Sequence, residues 1–279
     1  MGSSTALQRV EALNTPPAPD TRELWQHLSG TYFSLRLALA VTAFLLPILL
    51  YGWGRFYHGL DLQPSMSAYF WAAGKAHCAS FPTRTLFIGG LVAIALALYA
   101  YKGLTPLENL LLNAAAAFGA VVASVPERLP VPVKAEDLSA HYRRLYDTCP
   151  AIREWAYTQQ WPIPVHYIAA VLLFACLFFV ALKCACKSLQ YLPPDSPIGA
   201  VTFRRLYQGI AWAMPAVGGL FFVLIKFAGE EPHTYAFWLE ATEIWLFSAY
   251  WWLKTYELRL SQVEKDPEAA VLQHHGAEP

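Results

Sequence analysis

The sequence predicts an all-helical integral membrane protein with six transmembrane helices. Its composition is 56% hydrophobic and only 14% charged, whereas soluble domains carry about 25% charged residues. Long apolar segments alternate with polar connections, and the 15% of aromatic residues fits the Trp and Tyr belts that form where a bundle meets lipid headgroups. The net charge is zero and no basic run occurs, so we expect the lipid bilayer, and not nucleic acid, as a partner.

Six segments come close to the roughly 20 mostly apolar residues that a membrane-spanning helix needs. They define a membrane domain over residues 33–257, with a polar N-terminal tail at residues 1–32 and a polar C-terminal tail at residues 258–279. The predicted spans are Phe33–Trp53, Thr85–Tyr101, Leu107–Val125, Val165–Leu182, Ile210–Phe227 and Tyr235–Leu253.

Six spans place both termini on one side of the membrane. Basic residues lie directly beside the helix ends on that side, among them Lys183, Arg204, Arg205 and Lys254. Because positive charge near helix ends favours the cytoplasmic side, we expect cytoplasmic termini. The first, third and fifth loops then face outward.

The two long outward loops are expected to contain short helices. The first, Gly54–Arg84, has a short helical segment predicted from Ser67 to Lys75. The other, Pro126–Pro162, has the apolar spacing of two amphipathic helices, which would lie on the membrane surface or cap the bundle. These amphipathic helices are predicted at Ala135–Tyr146 and Pro150–Gln159.

Four of the five cysteines divide between the two faces of the membrane, and the fifth, Cys176, lies inside a predicted span. Cys78 and Cys149 fall in outward loops, where an oxidising compartment allows a disulfide between them, although two free thiols are the alternative. Cys184 and Cys186 fall on the opposite side, where we expect them to stay reduced or to be acylated.

The last span carries two carboxylates, Glu240 and Glu243, which share one helix face at a spacing of three residues. A charged side chain inside a membrane helix costs about 2.5–3.5 kcal/mol, so it usually faces protein or water. Both are candidate catalytic residues, as a general base, a proton-transfer group or a metal ligand. The alternative is a carboxylate that hydrogen-bonds a Trp, Tyr or Arg of a neighbouring helix.

Five histidines fall on the predicted outer face, and together with the two glutamates they suggest a polar pocket there. Neutral imidazole is the commonest transition-metal ligand, so zinc is a candidate cofactor. His166, His233 and Glu240 are the candidate metal ligands, although histidine also populates membrane interfaces for amphipathic reasons alone. The candidate ligand-binding residues are His77, His141, His166, Trp238 and Trp245.

Ser67, in the stretch PSMSAYF, is a candidate nucleophile. A serine needs an adjacent base to be activated, and none is adjacent in sequence. His77, His141 or His166 could approach it in space, and the spacing along the chain does not choose between them.

Several stretches of the chain occur in an order shared with a known family. They read LLPILLYGWG, PSMSAYF, TRTLFIGGLVAIALALYAYKG, LENLLLNAAAAFGAVVASVPE, AHYRRLY and FWLEATEIWLFSAYWWLKTYEL. Over about residues 33–259 the chain resembles a family of uncharacterised bacterial multi-pass membrane proteins with SAYYH, RD-FVG, YKG and late W-E…YW-K motifs. The resemblance implies a location in the bacterial inner membrane and leaves the activity open.

The chain is more distantly similar to the CREST group of membrane hydrolases and receptors, which includes alkaline ceramidases. That group pairs an early serine with a His, an Asp and two late histidines that hold zinc, and the resemblance implies that Ser67 matches the serine. Phe70–Trp71 and Thr83–Arg84 stand where the bacterial relatives have a His and an Arg–Asp pair. The last span has Glu240 and Glu243 in place of a histidine pair, and six spans are predicted rather than seven.

Two functions of different class fit these observations. The first is a non-catalytic binding or accessory subunit, whose outer-face pocket contacts a lipid-like ligand or another membrane subunit. The second is a CREST-like hydrolase that cleaves lipid-like amides or esters through water activated by a metal or a carboxylate.

Overall fold

The computed structural model of the chain describes residues 21–72, 81–129, 140–158, 163–227 and 234–261. Within these ranges the protein is all-helical, as the sequence predicts. In the described part of the first long loop, Ser67–Phe70 forms a 3₁₀ turn. The α-helices are α1 Thr21–His58, α2 Arg84–Ala100, α3 Pro106–Ser124, α4 Ala140–Thr148, α5 Pro150–Thr158, α6 Val165–Phe179, α7 Ala200–Phe227 and α8 Tyr235–Ser261.

The six long helices form a closed ring. In the order α1, α2, α3, α6, α7 and α8, each helix packs against the next, and α8 closes the ring against α1. Contact between α6 and α7 is made mainly through the segment 180–191, so the two helices separate over the rest of their length. Apolar side chains from all six helices fill the centre. The helices α4 and α5 pack over a second, smaller core at one end of the ring.

Four of the described helical segments are long and apolar enough to cross a membrane, and they coincide with four of the six predicted spans. They are His27–His58, Pro106–Ser124, Val165–Tyr191 and Ala200–Leu224. Large apolar side chains are exposed around the outside of the bundle, a surface that suits lipid and not water. Examples are Phe44, Leu96, Leu110, Val171, Trp212 and Phe222.

The end of the bundle where α3 ends and α6 and α8 begin is called the outer end below, following the predicted orientation. There the described part of the helix predicted from Ser67 to Lys75 is a 3₁₀ turn that ends at Phe70. Residues 73–80 lie outside the described ranges. The second amphipathic helix is confirmed as α5. The first one begins at Ala140 in the described part of the chain, and residues 130–139 lie outside it.

At the opposite, inner end the structure differs from the sequence prediction, in which a span ends at Leu182 and a polar connection follows. The chain continues from α6 as a π-helix, Val180–Cys184, and a 3₁₀ helix, Ala185–Tyr191. Buried polar contacts stabilise this irregular segment. Lys254 of α8 donates hydrogen bonds to the carbonyl of Ala185 (3.1 Å) and to the hydroxyl of Ser188.

Helix α3 begins at the inner end with a sequence-encoded cap. Thr105 accepts a hydrogen bond from the Glu108 amide (3.1 Å), and Pro106 occupies the first turn, where its missing N–H costs nothing. The Glu108 carboxylate reaches back to the Leu104 amide (3.0 Å). A side chain at Gly103 would collide with that of Glu108, so only glycine fits this tight turn between α2 and α3.

Candidate functional site

The loop 63–72 forms a roof over the outer end of the ring. Its backbone carbonyls accept hydrogen bonds from α8 and from the start of α2, and its Trp71 side chain donates one to the chain after α3. The bond from α8 uses an amide of the first turn of that helix, which has no partner within its own helix. The bonds run from the Phe237 amide to the Pro64 carbonyl (2.8 Å), from Thr83 Oγ1 to the Tyr69 carbonyl (2.8 Å), from Arg84 Nε to the Phe70 carbonyl (2.8 Å) and from Trp71 Nε1 to the Glu127 carbonyl (3.1 Å).

Ser67, at the centre of this roof, lies 2.9 Å from a histidine nitrogen, the Nε2 atom of His166. The other ring nitrogen, Nδ1, lies 2.6 Å from the carbonyl oxygen of Val125. A carbonyl oxygen can only accept, so Nδ1 carries a proton and donates it there. In the neutral ring Nε2 is then a bare acceptor, and the Ser67 hydroxyl donates to it. Both side chains are 4% exposed.

His166 is the second residue of α6, and the carbonyl that orients it belongs to the residue just after α3. The two helices pack side by side, which fixes the imidazole between the end of one and the start of the other. Of the three histidines that the sequence offered as a base for Ser67, His166 is the one placed beside it. His77 lies outside the described residues, and nothing is described of the His141 side chain.

Glu240 contacts the same serine through the backbone. Its Oε2 atom accepts hydrogen bonds from the amides of Met66 (2.7 Å) and Ser67 (3.3 Å). The expected Trp, Tyr or Arg partner on a neighbouring helix is therefore replaced by two consecutive backbone amides. Glu243, one turn further along α8, is 6% exposed, and its Oε2 atom has no hydrogen-bond partner in the part of the chain that the structure describes.

A third carboxylate, Glu127, was not singled out by the sequence. Its Oε2 atom accepts a hydrogen bond from Ser65 Oγ (2.8 Å), which in turn accepts one from the Ala68 amide (2.8 Å). Burial raises the pKa of Glu127 from 4.5 to about 7, against a smaller lowering by the Ser65 hydrogen bond. The sequence does not indicate that Glu127 is buried, because it lies in the proline-rich stretch PERLPVPV, which predicts an exposed connection.

An apolar cavity of about 60 Å³ lies directly beneath the roof, inside the ring. Met66, Ser67 and Glu240 line it at the top, and apolar side chains of α2, α3, α6 and α8 line the rest. Ser67 is therefore adjacent to an internal space that suits an apolar chain.

A larger groove, of about 460 Å³, lies where α6 and α7 separate, with α8 at its floor. It shares Ala170, Phe174 and Glu240 with the internal cavity, so the two spaces adjoin at the Glu240 side chain. Glu243 also lines the groove, and the remaining lining is almost wholly apolar. The groove therefore reaches the Glu240 side chain, whose carboxylate accepts a hydrogen bond from the Ser67 amide.

The described residues do not supply the expected zinc site. Among them, no group of three His, Cys, Asp or Glu side chains converges on a point that could hold a metal ion. Both ring nitrogens of His166 are engaged, and Glu240 is bound to two amides. His233 lies outside the described ranges. We therefore derive no chemical step from zinc.

The two candidate binding tryptophans lie apart from Ser67. Trp245 donates its indole N–H to the Phe44 carbonyl of α1 (3.1 Å), so it joins two helices. Trp238 is 44% exposed and packs edge to face against Phe237. Neither ring lines the internal cavity or the groove.

Cys149 is fully buried in the small core of α4 and α5 and takes part in a disulfide. Of the described cysteines, Cys176, Cys184 and Cys186 are free thiols. Cys78 lies outside the described residues, so its pairing with Cys149 stays a prediction.

In comparisons with known proteins, no protein-family model, no curated protein and no solved structure matches this chain.

Proposed function

We propose that this protein is a six-span membrane serine hydrolase that cleaves an ester or amide bond of a lipid-like substrate. The observation that carries the proposal is the 2.9 Å hydrogen bond from Ser67 to His166, whose other nitrogen donates to the Val125 carbonyl. That arrangement is the nucleophile, base and orienting group that acyl transfer by serine requires.

The reaction would begin when Ser67 Oγ attacks the acyl carbonyl and its proton passes to His166 Nε2. The Val125 carbonyl holds the Nδ1 proton, so the imidazole keeps its orientation while it is charged. Collapse of the tetrahedral intermediate breaks the bond to the leaving alcohol or amine, which takes the proton from Nε2. Water, deprotonated by the same nitrogen, then attacks the acyl-serine and releases the carboxylic acid.

In the tetrahedral intermediate the former carbonyl oxygen of the substrate is negatively charged, so it needs hydrogen-bond donors close to Ser67. The amides of Met66 and Ser67 converge on one oxygen atom, Glu240 Oε2, and so they are already aimed at a shared acceptor. In the proposed reaction the substrate oxygen takes this place, and Glu240 turns toward the adjoining groove.

The membrane arrangement supports a lipid-like substrate. Helix α2 has 17 residues, about 26 Å at 1.5 Å per residue, which nearly matches a hydrocarbon core of about 30 Å. Helix α8 has 27 residues and packs between α1 and α7, which supports it as the sixth span. With cytoplasmic termini in an inner membrane, Ser67 and the disulfide of Cys149 lie toward the outer, oxidising side.

The test uses purified protein in lipid nanodiscs, incubated with acyl esters and N-acyl amides of medium and long chain. Mass spectrometry quantifies the released fatty acid. We expect release from at least one substrate and a loss of about 10³-fold in rate for Ser67→Ala. Ser34→Ala, at an exposed serine of α1, is the matched control and should keep the wild-type rate. No release from any substrate, or full activity in Ser67→Ala, would contradict the proposal.

A further inference from the structure

The groove between α6, α7 and α8 combines an apolar lining with two carboxylates on one face of α8. Glu240 and Glu243 both line it, and no Lys, Arg or His lies among the residues that form its walls. Glu240 is bound by two backbone amides. The Oε2 atom of Glu243 is buried and has no hydrogen-bond partner among the described residues.

A buried oxygen without a donor costs about 1–3 kcal/mol, and more when the group is charged. Glu243 is 6% exposed and borders a groove that opens where α6 and α7 separate, so a molecule from the membrane could reach it. The donor that it lacks would best be carried by that molecule. A cationic N–H group fits best, because charge-assisted hydrogen bonds to a carboxylate are about twice as strong as neutral ones.

The aromatic residues of the groove favour the same ligand. Tyr167, Phe174 and Phe178 follow one another along the α6 wall, opposite Met214 and Pro215 of α7. Aromatic faces attract ammonium groups, and the attraction strengthens where water is excluded. The rest of the lining offers only dispersion and hydrophobic contact, which suits an alkyl chain.

We propose that this groove binds a lipophilic amine, an ammonium group on a single long alkyl chain, with the ammonium donating to Glu243. The alkyl chain lies along the apolar wall formed by α6 and α7. The amine site shares the groove with the Glu240 side chain. Recognition of the amine uses neither Ser67 nor His166, so amine binding can be measured independently of the hydrolysis proposed for Ser67.

The test measures equilibrium binding of radiolabelled dodecylamine to the purified full-length protein in nanodiscs, with empty nanodiscs subtracted. Dodecanol, which has the same chain and no charge, is the matched ligand. We expect saturable binding of the amine, and binding of the alcohol that is at least about tenfold weaker. Saturable amine binding that dodecanol matches would overturn the proposal, since the groove would then recognise only the chain.

The variant Glu243→Gln removes the charge and keeps the shape of the side chain. It should weaken amine binding about tenfold or more while leaving the melting temperature near that of wild type. Glu154→Gln, at an exposed glutamate of α5, is the control for a general loss of negative charge and should bind as wild type. Equal binding by Glu243→Gln and wild type would assign the amine to another site and overturn the proposal.

Discussion

Two serines of this protein are hydrogen-bonded to basic side chains at opposite ends of the helix ring. At the outer end, Ser67 donates to His166 Nε2, beside a cavity that adjoins a lateral groove. At the inner end, Ser188 accepts from Lys254 Nζ, which also donates to the Ala185 carbonyl (3.1 Å) and to Glu257 Oε2 (3.0 Å).

The direction of the hydrogen bond separates the two pairs. An ammonium has three protons and no lone pair, and all three protons of Lys254 are used. Ser188 in turn donates to the Ala185 carbonyl (3.2 Å), so its proton points away from the lysine. His166 instead presents a lone pair to Ser67. Proximity of a serine to a basic side chain therefore does not define a catalytic pair. The basic nitrogen must have a lone pair that can accept the serine proton, and a substrate must have space to approach the serine.

The inner cluster has a structural role. Lys254, Ser188 and Glu257 are each at most 1% exposed, and Tyr207 donates to the same Glu257 oxygen (2.8 Å). These contacts join α7 and α8 to the π- and 3₁₀-helical segment after α6, where the regular hydrogen-bond ladder is interrupted.

The largest effect on stability is expected for Lys254→Met. Breaking a buried ion pair on one side leaves an uncompensated carboxylate, here Glu257, at a cost of about 3–5 kcal/mol. Unfolding monitored in detergent should show this loss, and the double variant Lys254→Met/Glu257→Gln should recover part of it. The hydrolysis rate of the folded variant should stay near wild type. If Lys254→Met kept its stability and lost hydrolysis, the result would indicate that the reaction takes place at the inner end and would contradict a structural role for Lys254.

A smaller effect, and one that depends on pH, is expected for Glu127→Gln. Among the described residues, the Glu127 carboxyl has no ion-pair partner, unlike that of Glu257. Its Oε2 atom accepts a hydrogen bond from the Ser65 hydroxyl, and its Oε1 atom has no partner within the same residues. Its pKa is raised above that of the unfolded chain, so its contribution to stability is fully present below pH 4.5. It is lost as the pH rises through about 7. At 1.36 kcal/mol per pKa unit, the loss is at most roughly 3 kcal/mol.

Unfolding of wild type and Glu127→Gln at pH 4.5 and pH 8 measures this difference. The variant should gain stability relative to wild type at the higher pH only. Among the described residues, the titratable groups that interact with Glu127 include Tyr142, Tyr167 and Glu240, and they are common to both proteins. A constant difference between the two proteins at both pH values would show that Glu127 does not titrate in this range.

The helical fold and the start of the last long helix at Tyr235 could be predicted from the sequence, because apolar length and the spacing of Glu240 and Glu243 are local properties. The pairing of Ser67 with His166 could not be predicted in the same way, since 99 residues separate them and three histidines were equivalent along the chain. Only the packing of α3 against α6 places one imidazole at the roof.

Lys254 shows how a local rule can mislead. Because it follows a predicted span, the sequence predicts that Lys254 flanks the membrane on the cytoplasmic side. In the structure its side chain is buried, at 1% exposure. Glu257, three residues further on the same helix face, was the signal that an ion pair could form inside the bundle. Glu127 had no comparable signal, because its burial depends on the loop 63–72 folding over it.

Reaction of the purified protein with a long-chain alkyl fluorophosphonate tests the central claim most directly. Ser67 Oγ would attack phosphorus and displace fluoride, with the hydroxyl proton passing to His166, to leave a stable phosphonate ester. Mass mapping should find the adduct on Ser67, find none in Ser67→Ala, and show labelling slowed by at least about 10²-fold in His166→Ala. A folded wild-type protein without an adduct at Ser67, or equal labelling in His166→Ala, would contradict the account.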